Sequence, residues 1–251
     1  MSGEVFNNPT VKNVVFEIKF PNLFSIENKI GDYQERIISE FPESKLLLRR
    51  PIIISDVGPE GKLESIPDSP QKNFEKKIWH FESEEKHEVN ITTNSLMIRS
   101  SHHKTYRNIT SEKKFRDVIE FVVTNFFEII SIPRLNRIGL LYQDKCPLPN
   151  KNNETFTRFY NSAFRTDRYP IDDVINMACE IRTKRGNHFL IYRETLVENS
   201  GKYSVLLDFD GYETNVPSQQ YLQVTDELHE IIDKEYFSII QDPVIEHMRR
   251  E

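Results

Sequence analysis

Glycine is scarce in this chain, and several common catalytic signatures are missing. Its 251 residues include only 8 glycines. The glycine-rich phosphate loops G-x-G-x-x-G and G-x-x-x-x-G-K-[ST] do not occur, and neither does the G-x-S-x-G turn that carries the nucleophile of α/β-hydrolases. These absences disfavour the common nucleotide-dependent enzymes and the α/β-hydrolases.

Metal-binding patterns are also lacking. The 2 cysteines, Cys146 and Cys179, lie far apart, and the 7 histidines form neither an H-E-x-x-H nor an H-x-H motif. Zinc ligands usually occur in pairs at such short spacings, and two distant cysteines are too few for a disulfide scaffold. The sequence therefore predicts no metal site and no cofactor, and a reducing cytoplasm is the expected compartment.

Long hydrophobic runs and a dominant positive charge are absent too. No run approaches the roughly 18 apolar residues of a membrane span, and the first residues lack the basic start and apolar core of a signal peptide. The net charge is −6, which argues against a general nucleic-acid coat because phosphate contacts need local positive charge. We therefore expect a soluble cytoplasmic protein without a membrane partner.

Strand and helix patterns recur along the whole chain. Between residues 11 and 20, Val14, Phe16 and Ile18 alternate with other residues, which is the period of a strand with one buried face. Apolar residues at helical spacing predict long amphipathic helices over 111–130 and 224–241. We predict loops over 56–73 and 146–153, where proline, glycine or asparagine accumulates.

The order of these elements predicts the fold class. Residues 11–130 have the predicted order β-α-(β)-β-β-β-α, and residues 136–241 have the order β-α-β-β-β-α. The expected fold is α+β in a single domain over 1–251, with a mostly antiparallel sheet and the long helices packed on one face. The recurring order suggests an internal duplication of the two halves. Largely buried positions are expected at Phe16, Ile18, Trp79, Phe81, Val89, Phe115, Val122, Phe126, Ile138, Leu140, Ile181, Leu207, Leu228 and Ile232.

Polar residues that alternate with the buried ones indicate an open, mixed-charge face of the sheet. The candidate binding residues on this face are Glu17, Lys19, Glu180, Arg182, Asp208 and Asp210. One interpretation is the solvated side of an antiparallel sheet; the other is a docking surface. Asp208 and Asp210 could share a proton or a cation, although one carboxylate pair supplies too few ligands for a metal cage.

A second candidate is the basic run between residues 99 and 116. Basic side chains with an interleaved aromatic ring could contact phosphates and stack on a base, whereas most charge runs are simply solvated. The candidate nucleic-acid contacts are Arg99, His102, His103, Lys104, Tyr106, Arg107, Lys113, Lys114 and Arg116.

Several short segments resemble a known family. They are Asn8-Pro9, the stretch Val14 to Phe20, Tyr33 to Ile37, Arg137 to Leu140 with Tyr142, Leu207 to Asp210, Leu228-His229 and Met248. Together they resemble a sporadically distributed family of conserved hypothetical prokaryotic proteins, which tends to have arginine where this chain has Leu141. The resemblance implies no catalytic residue, and the patchy occurrence of the family implies a link to mobile or defence genes.

Three functions remain open at this point. The sequence favours a non-catalytic binding or regulatory protein that engages an unidentified protein partner through the polar face. The alternatives are a nucleic-acid-associated protein that uses the basic run, and an enzyme whose histidine and carboxylate groups converge only in space. Homo-oligomerisation is also open.

Overall fold

In the part of the chain that the structure describes, one antiparallel sheet of nine strands forms the framework. The computed structural model describes residues 4–49, 76–101, 106 and 114–250. The strands are β1 (Val11–Lys19), β2 (Glu43–Arg49), β3 (Lys76–Glu82), β4 (His87–Thr92), β5 (Ser95–Ser100), β6 (Arg134–Leu148), β7 (Ala178–Arg185), β8 (His188–Asn199) and β9 (Lys202–Pro217). The helices are α1 (Ile26–Ile37), α2 (Phe115–Ile129), α3 (Asn153–Phe159), α4 (Tyr221–Ile239) and α5 (Asp242–Arg249). The predicted α+β class with an antiparallel sheet is confirmed.

The two halves of the chain meet at the centre of the sheet. The strand order is β2-β3-β4-β5-β1-β6-β9-β8-β7, so the first strand of each half lies next to the other. The pair of β1 and β6 is called the seam below. Outward from β1 the strands follow as β5, β4, β3 and β2, and outward from β6 they follow as β9, β8 and β7. The order is what a duplication of the two halves would produce, but the duplication itself stays a hypothesis, as does the prediction of a single domain over the whole chain.

The face of the sheet that carries the helices is apolar because its strands alternate with period two. Phe16, Leu140, Gly211 and Leu190 are cross-strand neighbours in one row of β1, β6, β9 and β8. Gly211 allows the close approach of α4, since a Cβ atom there would lie 3.2 Å from Cδ1 of Ile232. A side chain at this position would hold the helix away from the sheet.

Helices α1 and α2 pack on the same face through aromatic rings. The ring of Phe126 in α2 lies 5.7 Å from the ring of Phe20 and 5.7 Å from that of Tyr33 in α1. Tyr33 also contacts the ring of Phe81 in β3. Phe126 is 1% exposed, so the apolar stripe that predicted α2 is the contact surface of the helix.

The predicted core is confirmed except at two positions. Trp79 is only half-buried, and Ile181 is 40% exposed. Ile181 lies on β7, which is an edge strand and has a neighbour on one side only. The alternation of apolar residues was read correctly in β7, but an edge position leaves part of such a side chain in water.

Two predicted boundaries differ from the structure. The loop expected over 146–153 begins later, because β6 continues to Leu148 and pairs with β9. The helix expected over 224–241 begins about a turn earlier, at Tyr221, so that Thr225 lies inside α4 and donates to the carbonyl of Tyr221. Pro243 then lies in the first turn of a separate helix, α5.

The loop predicted over 56–73 and the first residues, 111–113, of the helix predicted over 111–130 lie outside the described residues. Within the described part of the chain, no helix is both long enough and apolar enough to cross a membrane.

Candidate functional site

The face of the sheet opposite the helices, called the outer face below, collects the polar residues of the long strands. By the strand register, all six of the predicted sheet-face residues lie on it: Glu17, Lys19, Glu180, Arg182, Asp208 and Asp210. They do not form one cluster. Instead they divide into separate groups, each organised by an arginine or a glutamine from a neighbouring strand.

Arg137 on β6 is the centre of the largest group. Its Nη1 donates to Oε2 of Glu17 at 3.1 Å, and its Nη2 donates to Oδ1 of Asp210 at 2.6 Å. The three side chains are between 21% and 26% exposed, so the pairs are partly shielded from water. Gly139 makes room for the guanidinium, since a Cβ atom there would lie 2.3 Å from Nη1. Lys19 approaches Glu17 at 3.4 Å on the far side.

A second group surrounds Glu180 on β7. Its carboxylate accepts from Nε of Arg182 at 2.8 Å and from Nε of Arg193 at 2.6 Å. The hydrogen bonds from Arg182 and then Arg193 lower the pKa of Glu180 below its usual range. Because the group is exposed, solvent screens these pairs, and they contribute little to stability. They do place two cations and one anion at the edge of the outer face.

The two aspartates of β9 have different surroundings. Asp210 binds Arg137, whereas Asp208 accepts from Nε2 of Gln143 at 3.4 Å. Burial raises the pKa of Asp208, and the contact with Gln143 opposes that effect. The two carboxylates therefore engage different partners in this structure. The described part of the chain contains no group of three histidine, cysteine, aspartate or glutamate side chains arranged to hold a metal ion.

Two stacked aromatic rings lie between these charged groups. Phe189 on β8 and Tyr212 on β9 are stacked with centroids 5.2 Å apart and an angle of 17° between the rings. The guanidinium of Arg137 lies 4.9 Å from the centre of the Tyr212 ring, and Nζ of Lys184 lies 5.9 Å from that of Phe189. The outer face therefore presents an aromatic pair flanked by two cations.

Four residues of the basic run lie in the described part of the chain: Arg99, Tyr106, Lys114 and Arg116. Arg99 lies on the outer face and donates twice to Oδ1 of Asn13, at 3.2 and 2.9 Å. Lys114 precedes α2, and Arg116 donates from Nε to Asp226 at 3.0 Å. The other basic members, His102, His103, Lys104, Arg107 and Lys113, lie outside the described residues.

Tyr106, the aromatic member of the run, is buried. It is 4% exposed, and its ring stacks on His229 with centroids 4.1 Å apart. Its hydroxyl donates to Oδ1 of Asp226 at 2.9 Å, and burial raises the pKa of Tyr106 well above its ordinary value. In this position the ring is not available to stack on a base.

A buried polar cluster beneath α4 and α5 was not predicted from the sequence. The hydroxyl of Thr10 donates to Oδ1 of Asp144 at 2.8 Å and lies 2.6 Å from the hydroxyl of Tyr236. Burial raises the pKa of Asp144 to about 7 and outweighs the opposing contact with Thr10. Burial also raises the pKa of the neighbouring Cys146 thiol, which makes it a poor nucleophile at neutral pH.

A second buried carboxylate is Glu194 on β8. It is 1% exposed and accepts from the hydroxyls of Ser162 and Tyr192 and from the backbone N–H of Ala163. Each of these donors would lack a partner without Glu194. The arrangement ties the chain after α3 to the sheet and needs no catalytic role.

No protein-family model, no curated protein and no solved structure matches the chain. The family resemblance of the short sequence segments therefore stays a hypothesis.

Proposed function

We propose that the protein is a non-catalytic binding or regulatory protein and that it docks a protein partner on its outer face. The aromatic pair of Phe189 and Tyr212 carries the proposal, because it lies half-exposed between charged groups on an extended sheet. Aromatic residues and arginine dominate the energetically important centres of protein interfaces. The ion pairs of Arg137 and Glu180 then form the polar surroundings of this centre.

The charges of the outer face favour a protein over a nucleic acid. Arg137, Arg182 and Arg193 each already bind a carboxylate. Phosphate binding would have to compete with those carboxylates, and the chain carries a net charge of −6. A protein surface of mixed charge can satisfy both the acidic and the basic side chains at once.

The polar clusters inside the protein favour a non-catalytic role. Asp144 and Glu194 are buried and already bound by neighbouring hydroxyls. A catalytic carboxylate has to reach its substrate as well, and the geometry of these two groups serves the fold. A cytoplasmic location and a link to mobile or defence genes belong to the same proposal, the latter through the resemblance alone.

Affinity purification with matched charge reversals tests the proposal. Lys184→Glu reverses a charge beside Phe189 on the outer face, and Lys234→Glu makes the same change on the exposed side of α4. Tyr212→Ala removes one ring of the aromatic pair. We expect a co-purified protein that cross-links to β7, β8 or β9 to be lost with Lys184→Glu and with Tyr212→Ala, and to be retained with Lys234→Glu. For a central aromatic residue, the affinity should fall by about tenfold or more.

Two results would overturn the proposal. One is a partner that binds both outer-face variants as tightly as it binds the wild-type protein. The other is the absence of any specific protein partner together with salt-sensitive capture of nucleic acid, which would support the basic-run hypothesis.

A further inference from the structure

A groove of about 380 Å³ opens at the end of β6, between α3 and α5. Its apolar wall consists of Phe159 together with Pro147, Pro149 and Pro243. Its volume lies within the range of roughly 300–1,000 Å³ that is typical of small-ligand sites. The groove can therefore hold a ligand of a few ring atoms with a substituent.

Two arginines line the groove without a carboxylate partner among the described residues: Arg158 from α3 and Arg250 from the end of α5. Neighbouring arginines are paired, since Arg249 binds Glu4 and Arg165 binds Asp167. The guanidinium of Arg158 lies over the ring of Phe159, 5.4 Å from its centre. Its N–H groups are therefore free to bind an anion, while its planar face covers the apolar wall.

A histidine, His247, also lines the groove. Nε2 of His247 lies 3.1 Å from Nδ2 of Asn8. Among the described residues, Glu246 is the one carboxylate that lines the groove, and the two arginines outweigh its charge.

We propose that this groove binds a small molecule in which a phosphate monoester is attached to an apolar, preferably aromatic, body. Guanidinium groups bind phosphate oxygens in a bidentate manner and form strong charge-assisted hydrogen bonds. Arg158 in α3 and Arg250, which directly follows α5, would bind the head group, while the prolines and Phe159 contact the body. The site is independent of the protein-docking outer face.

Calorimetric titration of the full chain with phenyl phosphate tests the proposal. Inorganic phosphate supplies the head group alone, phenol supplies the apolar body alone, and benzoate replaces the phosphate with a carboxylate. We expect phenyl phosphate to bind more tightly than the other three probes. Arg158→Ala and Arg250→Ala should each weaken its binding by about tenfold or more, which is the usual effect of losing a hydrogen bond to a charged group.

Arg168→Ala is the matched control. Arg168 is exposed, has no carboxylate partner among the described residues, and lies 5.2 Å from the centre of the Tyr169 ring, outside the groove. Its replacement should leave the affinity unchanged. The proposal fails if phenyl phosphate does not bind at millimolar concentration, or if Arg168→Ala weakens binding as much as Arg158→Ala does. If benzoate binds more tightly than phenyl phosphate, the phosphate proposal is wrong and the groove is a site for a carboxylate ligand.

Discussion

Replacing Asp144 with asparagine should change how the stability of the protein depends on pH. Asp144 is 6% exposed, and burial raises its pKa from 3.8 to about 7. Asp208 adds to this increase, whereas Lys12 and the hydroxyl of Thr10 oppose it. Asparagine keeps an oxygen that can accept from Thr10, but it cannot ionise.

The direction of the pH dependence follows from the protonation of Asp144 in the folded and the unfolded state. Between pH 4 and pH 7 the folded protein holds a proton on Asp144 that the unfolded chain has released, so the free energy of unfolding falls as the pH rises. The difference between 3.8 and about 7, at about 1.4 kcal/mol per pH unit, corresponds to about 4 kcal/mol. This loss is complete above pH 7 and absent below pH 4. Cys146 and Tyr236 do not titrate in this window, because burial raises the pKa of both.

Urea unfolding at pH values from 4 to 8 measures the effect, with the fluorescence of Trp79 as a reporter. We compare the free energies of unfolding of wild type and Asp144→Asn at each pH, so that titrating groups common to both proteins cancel. The variant should gain about 4 kcal/mol relative to the wild-type protein between pH 4 and pH 8. Asp32→Asn, at an exposed position of α1, should show no comparable change. A difference between Asp144→Asn and wild type that is constant over the whole range would refute the reasoning.

Three further predictions concern the core, the outer face and the basic run. Phe126→Ala should lower the free energy of unfolding by about 3–5 kcal/mol, because the ring of Phe126 is fully packed. An unchanged denaturation midpoint would show that this ring is not a packed part of the core. Gly139→Ala should displace the guanidinium of Arg137 from its carboxylates, and because that guanidinium ends a flexible, partly exposed side chain, the cost should be about 1 kcal/mol or less; an unchanged contact between Arg137 and Asp210 in a structure of the variant would contradict the close approach. If the basic run binds nucleic acid, Lys104→Ala combined with Arg107→Ala should reduce the salt dependence of binding by about one to two units of log–log slope. The absence of binding to DNA or RNA in a low-salt anisotropy titration at micromolar protein would exclude that function.

The sequence predicts the faces of the strands better than it predicts the contacts on them. Alternation is a local property, so β1 and β9 could be divided into a buried and a polar face from their residues alone. Arg137 was not predicted as a site residue, because its partners Glu17 and Asp210 come from strands that are distant in the chain. The only signal was the glycine two positions later, and its significance depends on where the guanidinium lies.

Tyr106 shows the opposite error. Its neighbours along the chain are basic, which made it a candidate for stacking on a base. Its neighbours in space are His229 and Asp226 of α4, and they bury the ring. A charge pattern describes the chain before it folds, and only the packing of a remote helix decides which members of the pattern remain on the surface. Ile181 was misjudged for a related reason, since a periodic pattern does not reveal which strand lies at the edge.

The seam between β1 and β6 makes each half of the chain dependent on the other. Cutting the connection near residues 131–133 would leave each fragment with a bare central edge, a row of backbone donors and acceptors along β1 or β6. The fragment edges are matched by register, with Phe16 opposite Leu140 and Ile18 opposite Ile138. Separately produced fragments should therefore recognise each other by strand pairing and reconstitute the sheet. The seam would then work as the junction of a split-protein reporter.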